Sequence, residues 1–241
     1  NDMIVVITQP TFIPWIGYFD QLRIADIVVF LDSVQYQRRS WQNRNRIINR
    51  LGNECLLTIP LKKSPRNTLI KDINISDTFK LDSFIDKIKS CYRGAPNLEN
   101  CLYFIKKSLS KKLMDENTLL KDINRQFIED ILDSSDIKFK TFWSSDFESS
   151  IKYNTPTERL IEICKYFKAS TYLSAPGSRD YMREELNKFS KFDINVKWHS
   201  FSHKSYVNGE FKPYMSVIDY LAHNQIENLK TYLKECSKVK N

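Results

Sequence analysis

Two short β-branched runs on either side of a helix-spaced segment constrain this fold more than any other feature of the chain. IVVI at residues 4–7 ends at Thr8-Gln9-Pro10, and IVVFL at residues 27–31 closes on Asp32. Between them Pro14 stands where a helix can begin, and Ile16, Phe19, Leu22 and Ile24 recur at roughly helical spacing through Ala25. Unbroken apolar runs suit strands buried on both faces, and proline is tolerated in the first turn of a helix. Strand, helix and strand within about thirty residues make a βαβ unit and imply a parallel sheet. The expected fold class is α/β, with an open, mostly parallel sheet of Rossmann-like or nucleotidyltransferase-like character.

The rest of the chain extends that rhythm with one interruption. CLLTIP at residues 55–60 reads as a third strand stopped by its proline. From about residue 80 to 135 the pattern turns helical, as in Phe84, Ile88 and Cys91 and again in Leu119, Ile123, Phe127 and Ile131. Breaks near Gly94-Ala95-Pro96 and at residues 114–117 divide it into three expected helices. The Lys106-Lys107 and Lys111-Lys112 doublets read as a solvated helix face. Strands are then expected at residues 139–143, 171–174 and 194–198, a helix behind Thr155-Pro156, a short helix from Arg179, and closing helices at 216–223 and 226–236. With no repeat and no low-complexity linker, residues 3–241 read as a single α/β domain carrying a helical insertion at 80–135.

Charge directs attention to partners. The formal charge of +8 favours anionic ligands such as nucleotides, nucleotide-sugars, RNA or an acidic membrane surface. The excess is local. Between Ser33 and Lys71 nine basic residues face the single acid Glu54. An apolar fraction of 41% with 13% aromatic residues argues against disorder. The five cysteines lack a Cys-x-x-Cys pair and read as free thiols of a reducing compartment rather than a disulfide framework or zinc site. No stretch approaches the roughly 20 apolar residues of a membrane span, so a cytoplasmic protein without membrane insertion is expected. Met3 is taken as the natural start, behind Asn1-Asp2.

In an open parallel sheet, ligands bind outside the carboxyl ends of the strands. Four segments meet that condition. The first, QPTFIPWIGYF, offers Gln9 for hydrogen bonding, Trp15 and Tyr18 for stacking, and Gly17 for close backbone approach. The second, QYQRRSWQNRNR at residues 35–46, holds four arginines, two aromatic residues and no carboxylate. Planar donors and rings so concentrated suit an anionic, ring-containing ligand, with Gln35, Tyr36, Arg38, Arg39, Trp41, Asn43, Arg44 and Asn45 as candidate contacts. The alternative is an exposed basic loop. The third segment, with Ser174, Ser178 and Tyr181 around a Pro-Gly turn, suits an anion or is an ordinary capped turn. The fourth contains His203 and Tyr206. His203 is the candidate general base, while His199 is assigned to packing. His199 and His203 lie at a strand end without further ligands, so no metal is expected. The Trp15-Ile16-Gly17-Tyr18 stretch also lacks both histidines of the His-x-Gly-His motif of nucleotidyltransferases.

Taken together, QPTFIPWIGYF, LDSVQYQRRSWQNRNRI, TYLSAPGSRDYM and the set His203, Tyr206, Gly209, Phe211, Pro213, Ser216, Ile218 and Asp219 resemble the WbqC-like family over nearly the whole chain. Arg38 and Ser40 depart from the residues more usual there, and both changes keep the segment polar. The resemblance implies a bacterial protein of O-antigen or capsule biosynthesis. It suggests a transferase moving an acyl or aminoacyl group onto a dTDP- or UDP-linked amino-deoxy sugar, with acyl-CoA or an aminoacyl-tRNA as donor and tRNA as a partner. On that reading the arginines hold the diphosphate, Trp41 or Tyr36 stacks on a ring, and Asn43 and Asn45 read hydroxyls. His203 accepts the proton of the sugar amine, and Asp32 orients amine or base. The competing classes are an ATP-dependent nucleotidyltransferase or ligase, and a non-catalytic nucleotide-sugar or RNA-binding protein. The oligomeric state is left open.

Overall fold

The computed structural model describes residues 2–240, and for Tyr181 and Lys240 the backbone only. The opening runs form β1 (Ile4–Thr8) and β2 (Ile27–Phe30), joined by α1 (Ile16–Ile24) and paired in parallel with Thr8 opposite Phe30. Next comes a hairpin of β3 (Arg44–Ile48) and β4 (Glu54–Thr58). The helical segment resolves into α2 (Leu81–Cys91), α3 (Leu98–Ser110) and α4 (Leu120–Ser134). Then follow β5 (Thr141–Trp143), α5 (Pro156–Tyr166), β6 (Thr171–Ser174), α6 (Arg179–Met182), α7 (Leu186–Ser190) and β7 (Asn195–Phe201). The described chain closes with α8 (Val217–His223), α9 (Leu229–Cys236) and β8 (Ser237–Lys240).

The main sheet is mixed, in the order β5-β2-β1-β6-β7-β8. Its first five strands run parallel, and β8 lies antiparallel along β7. One expectation is corrected here. The strand near residues 55–60 does not enter this sheet but pairs antiparallel with β3 in a sheet of two. The link between them is too short for the crossover that a parallel partner needs. Asn49 Oδ1 accepts from the Leu51 and Asn53 amides, and Gly52 takes the left-handed conformation (φ 80°) that the turn requires.

The sheet separates two apolar layers. Val6, Val28, Phe30 and Leu173 face a core shared with α1, α4, α8 and α9. Val5, Ile7, Val29 and Tyr172 face a second core with α5 and α7. The apolar stripes of α2, α3 and α4, including Ile88, Ile105 and Phe127, join the first of these cores. At the start of α5, Thr155 Oγ1 accepts from Glu158 N at 3.1 Å while the Glu158 carboxylate accepts from Asn154 N at 2.7 Å. This is a reciprocal cap with proline in the first turn.

The chain passes from β1 outward to β2 and β5, then returns to lay β6 and β7 on the other side of β1. The loops after β1 and β6 therefore leave the same sheet edge toward opposite faces. A crevice at such a reversal is where ligands gather in open α/β sheets.

Candidate functional site

The loop after β1 is held by the arginine-rich segment. Gln42 Nε2 donates to Gln9 Oε1, the Tyr18 hydroxyl donates to the Gln9 carbonyl at 3.1 Å, and Phe12 N donates to the Trp41 carbonyl at 2.9 Å. Asn45 is buried, its Nδ2 donating to the Phe12 carbonyl at 3.1 Å. Asn124, from α4, donates to the Pro10 and Gln42 carbonyls at 3.2 and 2.9 Å. Ile13, in the same loop, has φ 37°, a costly conformation for a β-branched residue. It is fully buried, and its carbonyl accepts from Ser216 Oγ at 2.7 Å.

This knot leaves four buried polar atoms without a hydrogen-bond partner: Gln42 Oε1, Asn43 Oδ1, Asn124 Oδ1 and Arg44 Nε. Asn43 Nδ2 already donates to the Ile59 carbonyl at 3.1 Å. Rotating the Asn43 or Asn124 amide would set oxygen against carbonyl oxygen, so the unpaired atom in each is the acceptor. An unmet buried acceptor costs about 1–3 kcal/mol. All four are buried, so a partner for them has to enter the knot rather than rest on its surface.

Of the four arginines around it only Arg46 has an acid partner, Glu54 at 3.7 Å; Arg38 and Arg44 are braced on carbonyls. Arg38 Nη2 donates to the Ser64 carbonyl and Arg44 Nη2 to the Arg39 carbonyl, each at 2.7 Å. Among the described residues Arg38, Arg39 and Arg44 have no ion pair. Burial raises the Tyr36 phenol, and the charges of Arg44 and Arg38 pull it back. Gln35 spends its amide on the Arg66 carbonyl at 2.8 Å. Arg46 lies 5.4 Å from the centre of the exposed Trp41 ring and donates to the Tyr214 carbonyl at 3.3 Å.

Asp32 is committed elsewhere. The fully buried carboxylate lies 2.8 Å from Lys121 Nζ, and accepts from Ser145 N at 2.9 Å, Ser145 Oγ at 2.6 Å and Ser144 Oγ at 3.1 Å. Burial alone would raise its pKa, but Lys121 and Ser145 outweigh that and hold it below the ordinary value. The same lysine sits 4.3 Å from the centre of the Trp143 ring. Such a carboxylate fixes a cation and has little capacity left as a base.

His203 stands in a group of rings, with Tyr214 at 4.7 Å, Phe201 at 4.9 Å and Trp15 at 5.6 Å between centres. Its Nε2 accepts from Tyr214 N at 3.3 Å, and burial pushes the imidazole down to about 4. The Trp15 indole lies against Gly17 so closely that a Cβ there would meet the ring at 2.1 Å. Tyr206 turns away from this group and donates to Asp219 Oδ2 at 2.6 Å. The Ser174 and Ser178 hydroxyls bond each other beside β6. The Tyr181 side chain lies outside the described residues. Hydrogen bonds thus join Tyr18 to Gln9 and Asn45 to the same loop, and ring contacts group Trp15 with His203, while Asn43 and Arg44 bond the Ile59 and Arg39 carbonyls instead. No hydrogen bond joins His203 to Asp32 among the described residues.

The WbqC-like protein family matches residues 9–231. The chain belongs to that family. It is 28% identical over 236 residues to the uncharacterized protein Rv1507c of Mycobacterium tuberculosis (strain ATCC 25618 / H37Rv), covering 96% of this chain and 98% of that protein. No solved structure matches it. No helix among the described residues is long and apolar enough to cross a membrane.

Three residues of this WbqC-like chain escaped the sequence reading. Lys121 and Asn124 are three apart, so they share a face of α4, and that face meets the strand ends. Their signal was two polar residues beside an apolar helical stripe. The third is Asp20, whose Oδ2 lies 2.7 Å from Nε2 of His199, the histidine assigned to packing; both side chains are fully buried, and His199 Nδ1 has no hydrogen-bond partner.

Proposed function

We propose that this WbqC-like chain is an enzyme of bacterial surface-polysaccharide biosynthesis, moving an acyl or aminoacyl group onto the amine of a nucleotide-linked amino-deoxy sugar. The observation that carries this reading is the set of unpaired carboxamide oxygens of Gln42, Asn43 and Asn124 beside the unneutralised Arg38, Arg39 and Arg44. Acceptors suit the hydroxyls and amine of a sugar. Guanidinium groups suit the diphosphate that carries it. The reversal of strand order beside β1 supports a Rossmann-like placement of that ligand.

In the transfer, the amine nitrogen attacks the acyl carbon of a thioester or ester donor. The N–C bond forms, the donor's C–S or C–O bond breaks, and the amine gives up one proton. His203 is assigned as the proton acceptor. Burial holds it neutral through the physiological range, and to take the proton Nε2 has to exchange the Tyr214 amide for the substrate amine. Asp32 serves by fixing Lys121 against Trp143, which places the α4 face carrying Asn124 at the site.

The test combines the protein with dTDP-4-amino-4,6-dideoxyglucose and either acyl-CoA or aminoacyl-tRNA, read by mass spectrometry. Transfer adds the acyl mass to the sugar nucleotide. Binding without a mass change for any donor sinks the transferase reading. Release of pyrophosphate from ATP would favour a nucleotidyltransferase or ligase instead.

A further inference from the structure

Away from the strand ends lies a cavity of about 880 Å³ that the reading above does not use. Its walls are the β3–β4 turn, the turn between α2 and α3, the loop at residues 205–212 and one face of α8. Tyr92, Tyr206 and Phe211 supply the rings. Tyr92 and Tyr206 donate to the two oxygens of buried Asp219 at 2.7 and 2.6 Å, so both hydroxyls are tied back at the cavity wall. Arg50 and Arg93 stand on two different turns of the wall, both exposed, and neither has an ion pair among the described residues. Lys212 is held by Glu54 at 3.2 Å, and Glu210 is the acid nearest the turn of Gly52.

We propose that this cavity is a second ligand site, and that it takes a nucleoside phosphate. Its volume falls within the roughly 300–1,000 Å³ of small-molecule sites. The rings and the two free guanidinium groups in the same wall match a base and its phosphate. An apolar ligand would make no use of those arginines or of the neighbouring Asn208, while Asn224 is already tied to the Tyr206 and Tyr220 carbonyls. Asn43 and Ile48 bracket β3, with the amide cluster at one end and the cavity at the other, about 17 Å apart along an extended strand. That separation lets two ligands be held at once. Where Arg38, Arg39 and Arg44 hold the sugar's diphosphate, the nucleoside phosphate here is that of a donor coenzyme; where they do not, it is the nucleotide of the sugar. The proposal stands whether or not acyl transfer is the reaction.

The experiment titrates thymidine diphosphate and coenzyme A separately into wild type and Arg50→Ala/Arg93→Ala, using calorimetry. The proposal expects at least one probe to bind wild type and at least tenfold weaker binding to the double arginine variant. Both arginines are exposed, and a thermal melt verifies that the variant is folded. Cys91 lines the cavity, so the bound probe also slows its alkylation by N-ethylmaleimide, and the probe that does so identifies the source. No binding of either probe at millimolar concentration, or binding indifferent to the arginine pair, overturns the proposal. Intact cavity binding with no acyl transfer overturns only the transfer reading.

Discussion

Asn124 donates a 2.9 Å hydrogen bond to the Gln42 carbonyl, from a helix 82 residues further along the chain. With its second bond, to the Pro10 carbonyl, one amide clamps the loop after β1 to the arginine-rich segment. Replacing it with leucine keeps much of the volume and leaves two buried carbonyls unpaired. Asn124→Leu is expected to lose about 2 kcal/mol or more of stability. A urea melt measures this, and an unchanged midpoint refutes the clamp.

Lys121 is the cation that Asp32 depends on. Lys121→Met leaves a buried carboxylate with only hydroxyl and amide donors, and is expected to cost about 3 kcal/mol or more. Adding Asp32→Asn removes the uncompensated charge, so the double variant is expected to recover part of the loss. A double-mutant cycle showing simple additivity would mean that the pair is not coupled.

Gly17 has a packing reason. In Gly17→Ala the Trp15 ring has to move, and it is held among Phe201, His203 and Tyr214. The expected cost is about 1–3 kcal/mol, with a shift in tryptophan fluorescence. If stability and emission both match wild type, the contact is not restrictive.

His203 predicts a pH dependence whose sign follows from burial. Its pKa falls from 6.5 in the unfolded chain to about 4 in the fold. Above 6.5 the ring is neutral in both states and costs nothing. As pH drops toward 4 the unfolded chain takes up the proton first, so stability declines over that window. His203→Gln is expected to flatten the decline between these two values. If His203 is the proton acceptor, the acid limb of the rate profile falls near pH 4 rather than 6.5, and His203→Gln abolishes turnover while sparing sugar-nucleotide binding.

The opening βαβ unit could be read directly because residues 4–7 and 27–31 have no polar interruption. β3 was hidden for the opposite reason. In RNRII the inward positions are Asn45 and Ile47, and a buried asparagine breaks the alternation that betrays a strand. The segment at 55–60 reads as a strand from its composition, which does not reveal that its partner is β3. Gln9, Asn43 and Arg44 were identified by residue type. Asn124, Lys121 and the Asp20–His199 pair were not, because each becomes meaningful only through contacts across the fold.

Buried on both faces, β1 carries apolar residues at four successive positions, Ile4, Val5, Val6 and Ile7. A slip of one residue would exchange valine for isoleucine or valine on either side, at little hydrophobic cost. What distinguishes the native alignment is the polar end, where Gln9 meets Gln42 and Tyr18, and Pro10 meets Asn124. The residues assigned to reading a ligand therefore also index the central strand. Evolution of a new specificity at Gln9 or Gln42 would have to preserve that indexing, which narrows the substitutions open to it.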